Sequence, residues 1–188
     1  MDRVFLLDRS GSMESCWDDT IGGFNAFLNE QKADGGTLTL IQFDHEYQLT
    51  YERTKIAEVT PLTRETYTPR GSTALLDAIG RLIKDWKDGA SNPSVVILTD
   101  GQENSSHNFT KAHIKDLIEQ KTKDGWTFAY LGANQDAFAE AGSIGIAPGS
   151  TMNYDAKRTP DAMRVLSAAL SCQASGQTQT VDLSAKTI

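Results

Sequence analysis

The chain has 188 residues, 39% of them hydrophobic, and 18 basic against 25 acidic side chains leave a formal charge of −7. This length suits one domain that buries its own core without disulfide or metal cross-links. The acidic balance argues against nucleic acid as the main partner, because phosphate binding requires a basic face. No apolar stretch approaches the roughly 20 residues of a membrane span, so a membrane partner is not expected either.

The two cysteines, Cys16 and Cys172, match no zinc, haem or redox motif. Two such thiols in a chain of this length favour a reducing compartment. The first apolar run, Val4–Leu7, is too short for the core of a signal peptide. We therefore expect a cytoplasmic protein. These features leave its oligomeric state open.

The first part of the chain predicts a buried strand, a helix closed by glycines, and a hairpin. Continuous apolar runs are typical of strands buried on both faces, and apolar residues at helical spacing indicate amphipathic helices. The expected elements are a strand at Val4–Leu7, a helix from Asp18 to Ala33 ended by Gly35-Gly36, paired strands at Thr37–Phe43 and Tyr47–Glu52, a short irregular strand at Ile56–Val59, and a loop at Pro61–Gly71.

The second part of the chain continues the alternation of helices and strands. A helix is predicted first, with Ser72 or Thr73 as its cap and Asp88-Gly89 as its end. The full set is a helix at Ser72–Trp86, a strand at Ser94–Thr99, a helix at Thr110–Asp124, a strand at Trp126–Leu131, a short helix at Asp136–Ala141, a strand around Ser150–Tyr154, and a helix at Thr159–Cys172 that has Pro160 in its first turn.

Strands that alternate with helices predict an α/β fold with a mainly parallel central sheet. The predicted hairpin adds one antiparallel strand. We expect a single domain over residues 1–173. Residues 174–188 are polar and weakly periodic, which favours a C-terminal tail or an added edge strand.

Three separated segments carry oxygen-bearing side chains to one edge of this sheet. Asp8 ends the first strand and is followed by Ser10 and Ser12; Asp100 ends a later strand; Thr73 precedes a helix. Ligands of open α/β sheets bind beyond the carboxyl ends of the strands, so these residues are expected to meet there. Two carboxylates and three hydroxyls form a hard oxygen set that suits Mg²⁺, with Mn²⁺ or Ca²⁺ as substitutes.

The segments DRSGS (8–12), GSTALLDAI (71–79) and VVILTDGQEN (95–104) resemble the von Willebrand factor A domain and its metal-ion-dependent adhesion site. This resemblance covers nearly the whole chain. It implies a Rossmann-like sheet of about six strands, one edge strand antiparallel, with helices on both faces. It also implies that Ser10, Ser12 and, in a high-affinity state, Thr73 bind the metal directly. Asp8 and Asp100 would bind it directly or through water.

The resemblance implies a metal-dependent module that docks an Asp or Glu side chain of a protein partner. One alternative is a metal-dependent hydrolase or phosphotransferase built on the same acidic edge. A second is an assembly component in which the metal is purely structural. No base or nucleophile is evident beside the metal motif, and G-x-S-x-G and P-loop motifs are absent from the sequence. We therefore expect a binding protein rather than an enzyme.

The residues around the predicted metal leave several interpretations open. Met13 and Trp17 form either an exposed patch for a partner or, for Trp17, a local packing contact. Arg9 and Arg70 are candidates for steering an acidic ligand. Glu14 and Glu103 are alternative internal ligands that would disfavour a partner.

Overall fold

The computed structural model describes residues 1–87, 91–133 and 136–184. Its centre is a six-stranded sheet in the order β3-β2-β1-β4-β5-β6. The strands are β1 (Asp2–Asp8), β2 (Thr37–Phe43), β3 (Tyr47–Lys55), β4 (Ser94–Thr99), β5 (Thr127–Ala133) and β6 (Thr151–Tyr154). Four of the five pairings are parallel, and β2 pairs with the edge strand β3 antiparallel. This confirms the predicted Rossmann-like α/β fold.

Within the described residues, five α-helices cover the two faces of the sheet. They are α1 (Trp17–Gln31), α2 (Leu75–Asp85), α3 (Lys111–Lys123), α4 (Ala137–Ser143) and α5 (Thr159–Ala174). Because neighbouring residues of a strand point to opposite faces, Phe5 and Leu7 pack under α1 and α5, and Val4 and Leu6 pack under α2, α3 and α4. No helix in the described ranges is long and apolar enough to cross a membrane.

Two local predictions in the first half of the fold are wrong. Residues Ile56–Glu58 form a turn of 3-10 helix instead of a short strand. Ile56 leaves the sheet there, since its N–H donates to the carbonyl of Gly36 and its side chain enters the core. Helix α2 begins at Leu75, and neither Ser72 nor Thr73 caps it. The predicted end of this helix at Asp88-Gly89 lies outside the described residues.

The segment after α5 packs against the domain up to residue 184. Val181 and Leu183 are buried in the same cluster as α1 and α5. The Leu183 N–H donates to the carbonyl of Gly149 at 2.7 Å, and Ser150 Oγ donates to the carbonyl of Val181 at 2.8 Å. These described residues form no strand. The division of the chain between residues 173 and 174 stays a prediction.

Candidate metal centre

Asp8 lies at the carboxyl end of β1, and solvent does not reach it. Its Oδ1 accepts the N–H of Ser10 at 2.6 Å, and its Oδ2 accepts the hydroxyl of Thr99 at 2.5 Å. The Tyr67 hydroxyl donates to its main-chain carbonyl at 2.7 Å. Three neutral donors from three segments therefore hold this carboxylate and its strand end in place.

Ser10, Ser12 and Asp100 form a continuous chain of hydrogen bonds next to Asp8. The Oγ atoms of Ser10 and Ser12 are 3.1 Å apart, and Ser12 Oγ donates to Asp100 Oδ1 at 2.6 Å. Ser10 is buried, whereas Ser12 is exposed. The site thus opens to solvent on the side of Ser12.

Thr73 joins this group from the loop that precedes α2. Its Oγ1 would lie 2.8 Å from a Cβ added to Gly101, and the Oγ atoms of Ser12 and Ser10 would lie 3.3 Å and 3.4 Å from the same Cβ. The three hydroxyls therefore converge on the space above Gly101, which is open because that residue has no side chain. An alanine there would crowd all three oxygens.

The structure thus brings all five predicted ligands, from three distant segments, to one edge of the sheet. Their donor set is entirely oxygen and includes only two carboxylates. Accordingly, the described residues contain no cluster of three or more His, Cys, Asp or Glu side chains suited to a metal. The converging hydroxyls and the two carboxylates fit Mg²⁺ or Mn²⁺, which favour hard oxygen ligands. Metal binding by these residues stays a prediction.

Burial sets the electrostatics of the two carboxyl groups. Desolvation raises the pKa of Asp8 to about 6, although the Thr99 hydroxyl and the Ser10 amide stabilise its charged form. Desolvation also raises the pKa of Asp100, and the hydrogen bond from Ser12 offsets part of that rise. The ionised forms are therefore disfavoured here, and a nearby cation would stabilise them.

Asp44, which follows β2, provides a contrast with Asp8. Both side chains are fully buried, and the residue before Asp44 pairs with Asp8 in the sheet register. Asp44 Oδ2 lies 3.0 Å from Arg9 Nε and 2.8 Å from Arg70 Nε. No ion pair of Asp8 with a basic side chain occurs in the part of the chain that the structure describes. Asp44 is therefore neutralised by two arginines, whereas Asp8 has no such counter-charge among the described residues.

The rim of the site differs from several expectations. Met13 is fully buried, because a 3-10 turn over Gly11–Cys16 directs it into the core, so the idea of an exposed Met13 is wrong. Trp17 packs locally, and its indole N–H donates to the carbonyl of Tyr67 at 2.7 Å. The carboxylate of Glu103 accepts hydrogen bonds within its own loop and from α2.

The loop before Thr73 is fastened to the loop after β1. The Arg70 N–H donates to the carbonyl of Arg9 at 2.7 Å, and the Gly11 N–H donates to the carbonyl of Gly71 at 3.0 Å. Gly71 has a φ of +67°, and a Cβ there would overlap the ring of His45. Glycine is thus required at this position for both its backbone and its space. His45, in the turn between β2 and β3, thus lies next to the loop that precedes Thr73.

Several supporting residues were not identified from the sequence. Thr99 and Tyr67 hold Asp8, and Asn104 holds the main chain of Thr73. Thr99 stands directly before Asp100 in the strand-end motif, so its position was an available signal. Tyr67 lies in a segment predicted only as loop, and nothing local indicates its contact with residue 8.

The protein belongs to the α/β class, with a mainly parallel sheet and an oxygen-rich candidate site at the carboxyl edge of that sheet. The family model for the von Willebrand factor type A domain matches residues 3–102, which is 100 of the 188 residues. The chain belongs to this family. The matched range includes all five predicted ligands, which are Asp8, Ser10, Ser12, Thr73 and Asp100.

Solved structures share the fold at low sequence identity. The von Willebrand factor domain of the type V pili tip protein Mfa5 from Porphyromonas gingivalis is 11% identical, with a TM-score of 0.70 and coverage of 92% of this chain and 95% of that one. The manganese-loaded TRAP protein of Plasmodium vivax is 20% identical, with a TM-score of 0.59 and coverage of 87% and 71%. At such identities the likeness establishes the fold alone.

Proximal thread matrix protein 1 from the mussel byssus is 16% identical, with a TM-score of 0.61 over 91% of this chain. The chain spans 45% of that protein's length. No curated protein matches the chain. Function must therefore be argued from the site itself.

Proposed function

We propose that this domain is a divalent-metal-dependent protein-binding module. Asp8, Ser10, Ser12, Thr73 and Asp100 would hold Mg²⁺, with Mn²⁺ or Ca²⁺ as substitutes. When bound, the ion would supply an electrophilic position that accepts an Asp or Glu carboxylate from a protein partner. The family membership of the chain supports the proposal, as does the manganese present in the structure of the TRAP relative.

The observation that carries the proposal is that the buried Asp8 pairs with no basic side chain among the described residues. A buried carboxylate is costly unless a cation or several hydrogen bonds compensate it. The two arginines beside Asp44 compensate that residue, whereas Asp8 receives only neutral donors from the residues that the structure describes. A divalent ion held by Asp8 and Asp100 would provide the counter-charge that no described basic side chain gives to Asp8.

The remaining ligands bear on what such an ion could bind. Ser10, Ser12 and Thr73 are neutral donors, so the site contributes a charge of about −2 when both aspartates are ionised. A divalent ion would be balanced and not over-neutralised, which leaves it able to attract one more carboxylate. The exposure of Ser12 provides an open side from which that carboxylate can approach.

Gly101→Ala tests the metal site at the point where its three hydroxyls converge. The added methyl group would crowd Thr73 Oγ1, Ser12 Oγ and Ser10 Oγ, so we expect calorimetry to show Mg²⁺ and Mn²⁺ binding weakened at least about tenfold. Gly22→Ala is the matched control, because an added Cβ there has no neighbour within 4 Å. Equal metal affinity in Gly101→Ala and the parent protein would refute the site.

Carboxylate docking is tested with acetate as the probe. Mn²⁺ bound to the protein enhances water proton relaxation in proportion to its bound waters. Acetate should lower that enhancement by displacing a water, and acetamide should not. A relaxation signal unchanged by acetate would reject carboxylate docking while leaving the metal site intact. That outcome would favour the purely structural metal.

Other parts of the prediction stay open to direct tests. A metal-dependent hydrolase or phosphotransferase would show phosphoester turnover that is lost in Asp8→Asn, and we expect none. The proposed cytoplasmic location is tested by cell fractionation.

A further inference from the structure

The first turn of α2 is capped by residues that lie far away in the sequence. The first N–H groups of a helix need acceptors, and a Ser or Thr at the helix start usually supplies one. Here the Leu76 N–H donates to Glu103 Oε2 at 2.9 Å, and the Asp77 N–H donates to Ser106 Oγ at 3.0 Å. Both acceptors come from the loop after β4. The cap residue of α2, Ala74, has no side-chain acceptor.

The same loop holds the main chain of Thr73 on both sides. The Thr73 N–H donates to Asn104 Oδ1 at 2.9 Å. The Thr73 carbonyl accepts the N–H of Asn104 at 3.0 Å and that of Ser105 at 3.2 Å. Both polar main-chain groups of Thr73 are therefore bound by the segment that directly follows Asp100 and Gly101.

These contacts leave the hydroxyl of Thr73 without a capping role. A threonine that caps its own helix would direct Oγ1 at the first-turn amides, and a metal would then compete with the cap. Because Glu103 and Ser106 provide the acceptors, Oγ1 faces the space above Gly101 together with the two serine hydroxyls. The loop after β4 thus performs a task that local sequence assigns to Thr73.

We propose that Asn104 is a positioning residue that fastens Thr73 to the loop carrying Asp100, so that the Thr73 hydroxyl faces the metal position before any metal or partner arrives. This inference rests on the proposed function. It deepens that proposal by assigning the pre-organisation of the site to a residue outside the five proposed ligands. Asn104 thus joins Thr73 to the loop that carries Asp100.

The test is a double-mutant cycle on Mn²⁺ affinity, measured by calorimetry. Asn104→Ala should weaken Mn²⁺ binding about fivefold to tenfold in the parent protein, the effect of about one hydrogen bond. It should have no further effect in a Thr73→Val background. Asn104→Asp keeps an acceptor oxygen and adds a negative charge near the ion, so it should bind Mn²⁺ at least as tightly as the parent protein. Asn92→Ala, an exposed asparagine that bonds to the carbonyl of Asp124, is the matched control.

Hydrogen exchange in the metal-free protein gives a second, independent readout. The Thr73 amide should exchange slowly in the parent protein and in Asn104→Asp, and much faster in Asn104→Ala. Thr73 exchange that is the same in all three, or an equal affinity loss in both Thr73 backgrounds, would overturn the role of Asn104. If the parent protein binds no Mn²⁺, the proposed function and this role both fall, even if Asn104 still protects the Thr73 amide.

Discussion

Ser12 Oγ donates a hydrogen bond of 2.6 Å to Asp100 Oδ1, although 88 positions separate the two residues. This bond joins the loop after β1 to the end of β4 across the candidate site. Because the hydroxyl proton of Ser12 is directed at the carboxylate, the Ser10 hydroxyl donates to Ser12 Oγ, which leaves one lone pair of Ser12 for a metal. The internal hydrogen bonds of the site are thus compatible with the metal ligation that we propose.

Ser12→Ala should separate metal binding from stability. The substitution removes one proposed ligand and the hydrogen bond to Asp100, so Mg²⁺ affinity should fall about tenfold or more. The free energy of unfolding should change by less than about 0.5 kcal/mol, because Ser12 is exposed. Calorimetry and urea denaturation measure the two quantities. Ser15→Ala, another exposed serine of the same turn, should leave both unchanged.

Asp8→Asn should stabilise the metal-free protein. Burial raises the pKa of Asp8 from 3.8 to about 6, so the ionised carboxylate opposes folding at neutral pH. Removing that charge should raise the free energy of unfolding by about 2–3 kcal/mol at pH 7.5 in the presence of a chelator. Asp116→Asn is the control, since that aspartate lies on the exposed surface of α3. A destabilised Asp8→Asn would contradict this account of the site.

The pH dependence of the metal-free protein follows from the same shift. A carboxyl group whose folded pKa is raised contributes most stability below its unfolded value, and this contribution is lost as the pH rises through the folded value. The advantage of Asp8→Asn should therefore disappear near pH 4 and grow up to about pH 6. Urea denaturation at several pH values measures it. A constant advantage would show that Asp8 is not the group responsible.

The affinity for metal should rise with pH, because a proton on Asp8 competes with the ion. This trend is opposite to that of the stability that Asp8 contributes to the metal-free protein. Below pH 6 the affinity for Mg²⁺ should fall by about tenfold per unit of pH if one proton is displaced. Calorimetry at pH 5 and pH 7 tests this. An affinity independent of pH would mean that Asp8 does not exchange its proton for the metal.

Asp77 should contribute to stability through the loop that carries the caps of α2. Burial alone would raise the pKa of Asp77, but the N–H groups of His107, Asn108 and Phe109 bond to its carboxylate and lower the net value. Asp77→Ala should cost about 1–3 kcal/mol, because three amides lose their acceptor. Asp77→Asn should cost less.

The pH dependence of Asp77 has its own sign. Its folded pKa is depressed, so its contribution is present above the unfolded value near 3.8 and is lost as the pH falls through the folded value. The cost of Asp77→Ala should thus be full at pH 7 and shrink in strongly acidic solution. Urea denaturation of the parent protein and Asp77→Ala, at pH 7 and in strongly acidic solution, measures this cost. A cost that grows on acidification would contradict the proposed hydrogen bonding.

Two strands were predicted to the residue, whereas the observed β1 and β5 differ from the predicted Val4–Leu7 and Trp126–Leu131. The bounds expected for β2 and β4, Thr37–Phe43 and Ser94–Thr99, are those of the structure. Both strands pack against apolar layers on their two faces. The apolar residues along each strand therefore indicate its buried position directly from the sequence. The place of Asp8 and Asp100 at one sheet edge follows from the same pattern.

The capping residues of α2 could not be predicted from the sequence around the helix. Thr73 has the residue type of a helix cap, but the acceptors come from Glu103 and Ser106, 27 and 29 residues after the amides that they bind. Propensity cannot reveal a partner that folding brings from another strand end. The fate of Met13 has a similar cause, because only the 3-10 turn decides whether its side chain points inward.

The packing of Val181 and Leu183 affects how this domain should be handled in the laboratory. Both side chains complete the apolar layer over α1 and α5, and the Leu183 amide bonds to the loop before β6. A shortened chain that stops after α5 would expose that layer to water. Such a protein would tend to associate through the uncovered patch, and its apparent binding to other proteins would then be independent of metal.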